Sequence, residues 1–436
     1  MKYTITRLAT LVYFAWAANS LLAAGFHGLG DFPGGESISL ATGVSGNGAY
    51  VLGGSYSELG SEPFIWDKEH GIQRLDNILT VITLGAAYDV SGDGSVVVGL
   101  ADFGHAVPFR WENAGFHFLN VETPGVANAV TYDGRVVVGT ENYSPGGGPA
   151  PVTGTAFRWT EAEGVLRLAD LTGGPECARA NDVSADGRIV VGKGDCDASF
   201  QVEDLGLAVR WIDGGPAEPL GSLVEAGQSA ATAISTDGRT IVGGGGSKVG
   251  WEPFVWREGE GMIGLGRLND AAYGEALDVT GNGRIVVGQS GDRAFLWTAA
   301  HGMRDLKEYL SSDLYKLDLT GWTLTKATAI SPDGLYIVGE GINPAGDVES
   351  WRADLFHIPH GGHIDIVDLN NVRNNFGGTG LGDMPPYDGV VDIYDLNFVR
   401  NNFRPNAEAS SVPEPAGLWL ALFCGALAMF NRRFLR

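Results

Sequence analysis

One pattern, A-x-D-V-S-x-D-G-x-V-V-V-G, recurs seven times along this chain of 436 residues, and it constrains the fold more than any other feature. Its turn glycines are Gly48, Gly94, Gly134, Gly187, Gly238, Gly283 and Gly334, spaced 40 to 53 residues apart. A period of that size marks one supersecondary unit that cannot bury its apolar face alone and must stack on its neighbours. Each copy reads as four strands. The stretch before the turn, such as Tyr88-Asp89-Val90-Ser91, alternates as a strand does. Asp93-Gly94 supplies the positive φ of a tight hairpin. Val96-Val97-Val98 is apolar on both faces, so something must cover both. The third strand carries an aromatic pair two residues apart, hence on one face: Phe64/Trp66, Phe109/Trp111, Phe157/Trp159, Phe254/Trp256 and Phe295/Trp297, with Trp211 and Trp351 as the matching tryptophans of the other copies. A fourth strand runs from a Gly to a Leu, as at 71–75, 115–119 and 302–306.

These features predict an all-β body over residues 25–355, a seven-bladed β-propeller of four-stranded blades. The seventh copy lacks a fourth strand after Trp351, while residues 26–31 resemble a fourth strand without its first three. An N-terminal strand that completes the last blade closes the ring and removes two sheet edges. In this topology the Asp-Gly turns share one face. The second-to-third loops share the other face, with the connection from Leu306 to about Thr320, which is long enough for a short helix. The loops at 140–155 and 193–207 vary most, the latter carrying Asp195, Asp197, Glu203 and Asp204. Long loops on a rigid scaffold are where binding resides; insertion drift is the alternative. A two-residue turn at Asp186-Gly187 pairs positions whose numbers sum to 373, which sets Cys177 opposite Cys196 within disulfide reach.

Over residues 25–355 the repeats resemble the extracellular HAF repeat family. The resemblance implies a fold and an exported location more than an activity. Enzyme signatures are missing: no Gly-x-Ser-x-Gly, no His-Glu-x-x-His and no phosphate-binding glycine loop ending in Gly-Lys-Ser/Thr. The eight histidines show no metal-ligand spacing. The expectation is therefore a protein without enzymatic activity. A carboxylate pair of glycosidase type is the alternative. A formal net charge of −23 excludes nucleic acid as a partner and argues against a body resting on anionic lipid.

A second module spans residues 356–406. Residues 365–376 and 392–403 match at ten of twelve positions. Leu369, Val372 and Phe376 fall on one helical face, as do Leu396, Val399 and Phe403. The pair resembles a dockerin type I module of two calcium-loop-plus-helix units. That resemblance implies Ca2+ ligands at Asp383, Asp388, Asp392 and Asp395 in the better, second loop and at Asp365 and Asp368 in the first. It also implies a cohesin-like protein as partner. Pro385 and Pro386 replace one expected ligand, and His357, Pro359 and Gly361 replace the early ligands of the first loop. The alternative is a calcium-free helical pair in which Asp368 and Asp395 are helix caps.

The ends read as targeting segments. Residues 1–24 carry Lys2 and Arg7, an apolar run and Ala23-Ala24, the order of a signal peptide. Residues 407–436 form a linker and tail: Val412-Pro413-Glu414-Pro415, an apolar run at 416–430, then Arg432, Arg433 and Arg436. Fifteen helical residues cover about 22 Å, short of a roughly 30 Å hydrocarbon core unless arginines snorkel. This order resembles the PEP-CTERM sorting signal read by exosortases in Gram-negative bacteria. The resemblance implies a transient transmembrane sorting helix, cleavage near the motif and delivery to the cell surface or exopolysaccharide matrix. The functional expectation is an exported scaffold that binds glycan or exopolysaccharide and touches the membrane only through its terminal segments. A secreted carbohydrate-active hydrolase with a dockerin-like attachment module is the alternative.

Overall fold

The computed structural model describes residues 24–75, 84–112, 115–142, 154–171, 177–194, 206–355, 366–378, 383–384, 388, 390–391 and 393–402. Its 28 strands form seven antiparallel four-stranded sheets, one per sequence repeat. Sheet one starts at Gly34–Val44 and sheet seven at Thr323–Ile330, and one parallel bridge, Ile38 to Val348, joins the two. The first strand of each sheet packs against the first strand of the next, and that of sheet seven against that of sheet one. The result is a closed, propeller-like ring.

Closure uses the expected segment. Gly25–Gly28 pairs antiparallel with Val348–Asp354, setting Phe26 opposite Ala353 and Gly28 opposite Trp351. Trp351, however, does not occupy the tryptophan position of the repeat. It lies opposite Gly339, where five other sheets set a phenylalanine against the equivalent glycine, as Phe295 lies opposite Gly288. Ala353 holds the tryptophan position, and the ring missing there is supplied by Phe26 from the other end of the chain.

The alanine and the last glycine of the repeat have a shared cause. In every sheet the first strand slips register directly after its alanine, for example between Ala87 and Asp89 and between Ala276 and Asp278. The slip is a β-bulge. The glycine opposite that alanine lies against the backbone: a Cβ on Gly99 would be 2.2 Å from Ala86 O, and one on Gly288 would be 2.1 Å from Glu275 O. No side chain fits there, and the phenylalanine ring covers the space, with Phe64, Phe157 and Phe295 fully buried.

The Asp-Gly turns are wider than expected. In sheet two the closing pair is Ser91 N to Val96 O, 2.9 Å, with Gly94 N donating to Ser91 O at 3.0 Å. Only Gly94 has positive φ (81°). Four residues span the turn, and Asp93 Oδ1 accepts from Ser91 Oγ and from Ser95 N, both at 2.9 Å. The local hydroxyl–carboxylate network explains the Ser-x-Asp-Gly spelling.

A second compact unit takes in the described residues 366–378, 383–384, 391 and 393–402. Within it α1, Ile366–Asn375, packs on α2, Ile393–Asn402. Val372, Val399 and Phe398 are buried, whereas Phe376 is exposed. The expected stripe thus holds at the two valines, while Phe376 lies just past the end of α1 and Phe403 lies outside the described residues. No helix among the described residues is long and apolar enough to cross a membrane.

Candidate functional site

Two places concentrate polar chemistry on the ring. The first is the axis. The residue after each bulge is Asp89, Asp182 and Asp278 in sheets two, four and six, but Gly43, Ala129, Ala233 and Ala329 in the others. Each aspartate bridges two sheets. Asp89 accepts from Val90 N and from Val130 N of sheet three, both at 2.8 Å. Asp182 and Asp278 likewise accept from Ile234 N and Ile330 N at 2.7 Å. Sheets one, three and five answer with the opposite polarity: Thr42 Oγ1, Asn128 Nδ2 and Thr232 Oγ1 donate to Ala87 O, Ala180 O and Ala276 O at 2.6 to 2.8 Å. Sheet four does both, because Asn181 Nδ2 also donates to Ala231 O at 2.7 Å. At the junction of sheets seven and one, Thr328 Oγ1 donates to Val338 O of its own sheet.

These three aspartates are half-buried, with protein atoms crowded around their carboxyls. Burial pushes Asp89 and Asp278 up to about 7, against the pull of their backbone N–H donors. Asp182 is driven well above the usual range, first by burial and then by repulsion from Asp89 and Asp278. The sequence reading missed this set. Its signal was present: aspartate at one repeat position in alternate copies only.

The second place is a cleft of about 410 Å³ on the loop face between sheets six and seven. Asp292 and Arg293 come from the second-to-third hairpin of sheet six, while Lys307, Glu308 and Ser311 come from a short helix, Leu306–Ser311, in the connection to sheet seven. The expected short helix is therefore present. Asp305 organises the wall: its Oδ1 caps that helix by accepting from Glu308 N, and its Oδ2 pairs with Arg293 Nη1 at 2.9 Å. Lys307 Nζ donates to Trp322 O at 2.6 Å. Donors, carboxylates and a hydroxyl lining one concavity suit a polyhydroxylated ligand.

The expected metal ligands are described only in part. Asp388 pairs with Arg284 Nη1 at 3.0 Å and accepts from Val390 N at 2.9 Å. Asp395 is buried, and its Oδ1 accepts from Met384 N at 2.5 Å. Asp383 is half-buried, the backbone of Asp368 lies in α1, and Asp365 and Asp392 lie outside the described residues. Among the described residues no three His, Cys, Asp or Glu side chains gather closely enough to hold a metal ion.

Cys177 is disulfide-bonded. Cys196 lies outside the described residues, as do Asp195, Asp197, Glu203 and Asp204. The register sum of 373 holds at Val183–Val190 and Asp182–Val191, then drops by one at Ala180–Gly192 because of the bulge. The shifted register runs on to Arg179–Lys193, the last described pair of that hairpin. Residues 1–23, the motif Val412, Pro413, Glu414 and Pro415, and Arg432, Arg433 and Arg436 also lie outside the described residues.

No family model and no curated protein matches the chain. Solved structures resemble its architecture. An oligogalacturonate lyase from Vibrio parahaemolyticus gives a TM-score of 0.49 at 10% identity, over 77% of this chain and 98% of that one. An oligogalacturonate lyase in complex with manganese gives 0.47 at 12%, over 77% and 97%. The β-propeller domain of the Trilobed protease from Pyrococcus furiosus gives 0.43 at 11%, over 63% and 84%. Likeness at this level concerns architecture alone and brings neither activity nor metal to this chain. The chain's own strand pairing defines it as a propeller-type scaffold.

Proposed function

We propose that this chain is an exported cell-surface or matrix scaffold whose seven-bladed propeller binds polysaccharide through its loop face without enzymatic activity. The observation that carries the reading is the polar cleft at Arg293, Asp305 and Lys307, set on a ring closed by the pairing of Gly25–Gly28 with Val348–Asp354. Its side chains are held by partners within the fold, which lowers the ordering cost of binding. The HAF-like repeat, the signal-like residues 1–24 and the PEP-CTERM-like tail support export and handling by exosortase-type sorting machinery. The helical pair serves as an attachment module for a cohesin-like partner. Calcium belongs to this proposal at the second loop only, and a calcium titration of the full chain that leaves its helicity unchanged removes it.

The second reading, a secreted hydrolase, is favoured by three carboxylates at one cleft: Asp292, Asp305 and Glu308. A glycan and matrix-polymer array scored for both retention and new reducing ends separates the two. Retention without cleavage supports the scaffold. Cleavage abolished by Glu308→Gln establishes the hydrolase, and neither retention nor cleavage overturns both.

A further inference from the structure

Side chains that the repeat requires are explained by the ring, so those that break the repeat show where the chain does something more. Two hairpins are near duplicates, with Ser61-Glu62-Pro63-Phe64 in sheet one and Trp251-Glu252-Pro253-Phe254 in sheet five. Their cross-strand partners are exchanged in size: Tyr56 lies opposite Ser61, but Gly246 lies opposite Trp251. Sheet five thus gains an indole that the same hairpin in sheet one does without. The glycine run beside it makes the room. A Cβ on Gly244 would come 2.2 Å from Trp251 Nε1 and 2.8 Å from Cε2, so the pyrrole ring covers bare backbone.

Trp251 is half-buried and reaches the rim between sheets five and six, where its backbone bridges to Tyr273. The Tyr273 side is exposed, and its hydroxyl donates to Glu275 Oε2 at 2.5 Å. Glu252, next to Trp251, accepts from Gly266 N at 3.0 Å. Nη1 of Arg267 lies 3.0 Å from where a Gly250 Cβ would stand, buried and without a hydrogen-bond partner. Two aromatic residues outside the repeat thus share one rim with two oriented carboxylates and an unanswered guanidinium donor.

We infer that Trp251 and Tyr273 form a stacking subsite for neutral pyranose rings on the loop face. The inference rests on the polysaccharide-binding reading and assigns it a place. Aromatic rings pack against the apolar C–H face of a pyranose while flanking polar groups meet its hydroxyls. Glu252 and Glu275 accept from neutral sugars and repel uronates, in keeping with a chain whose net charge is −23.

Native gel electrophoresis of the full chain tests this, with gels that each contain one soluble polysaccharide: a β-1,3-glucan, a xylan, a galactomannan or polygalacturonate. The expected result is retardation by at least one neutral polymer and none by polygalacturonate. Trp251→Ala and Tyr273→Ala should each weaken retardation about tenfold. Trp251→Phe should retain most of it, Tyr56→Ala should leave it unchanged, and all four melting temperatures should match the parent. Retardation of the parent that both alanine variants keep overturns the subsite and leaves the polysaccharide reading standing. Retardation by polygalacturonate alone overturns the neutral-sugar assignment. A parent retarded by no gel overturns both.

Discussion

Phe26 stacks on Trp351, with ring centroids 5.9 Å apart and planes 26° from parallel, and by that contact the two ends of the ring meet. In six sheets a third-strand tryptophan faces a fourth-strand partner, as Trp66 faces Ile72 and Trp297 faces Met303. In the seventh the small residue, Ala353, is on the third strand and the large one, Phe26, on the fourth. The exchange preserves volume while making the last sheet depend on the N-terminal strand. Next to it Arg352 Nε donates to Asp354 Oδ1 at 2.6 Å, and its guanidinium lies over Trp66 of sheet one.

Phe26→Ala should therefore cost about 2–4 kcal/mol, near the range for buried aromatic truncations. Deleting residues 25–32 should lower the melting temperature further. Equal thermal stability of parent and deletion would show that the ring does not depend on this strand.

Gly288→Ala should destabilise by roughly 1–3 kcal/mol or more, because its Cβ meets Glu275 O and the Phe295 ring. Gly302→Ala, at φ 68° in open space, should cost only about 1 kcal/mol. Denaturant midpoints of the two variants check the contrast. An equal loss at both sites would mean that the close approach at Gly288 is relieved by backbone movement.

The axial aspartates give a pH dependence with a definite sign. Their folded-state values lie above the unfolded one, so the folded ring holds these protons more tightly. Their contribution to stability is therefore full below about pH 4 and declines as pH rises through about 7. Asp89→Ala with Asp278→Ala should flatten that decline while lowering stability at pH 4.5, since Val130 N and Ile330 N lose their acceptors. Urea midpoints across pH 4.5–7.5 are the measurement; parallel curves for parent and variant would refute the assignment.

Cys177, which is disulfide-bonded, should be linked to Cys196, the cysteine that follows it in the sequence. Peptide mapping without reduction identifies the partner, and a Cys177–Cys424 peptide would overturn the pairing. Cys177→Ser should cost on the order of 2–5 kcal/mol.

The surface form of the protein should end near Val412-Pro413-Glu414-Pro415. Mass spectrometry of the mature surface fraction decides this: an intact Arg436 there replaces a sorting signal with a permanent tail anchor.

The sequence by itself determined the number of sheets, the strand order within each and the segment that closes the ring. Those features come from local rules: turn glycines repeat at one spacing, alternation marks the strands, and a fourth strand missing at one end is present at the other. Tertiary structure alone decided the rest. The register slip after Ala180 accompanies the close approach of the inner strand to Gly192. The roles of Asp89, Asp182 and Asp278 depend on N–H groups in the next sheet, some forty to fifty residues away along the chain. Asp388 also pairs with Arg284, a partner that no local pattern could supply. Spacing along a chain specifies which residues share a strand. Which groups face one another across neighbouring sheets follows only once every sheet has packed.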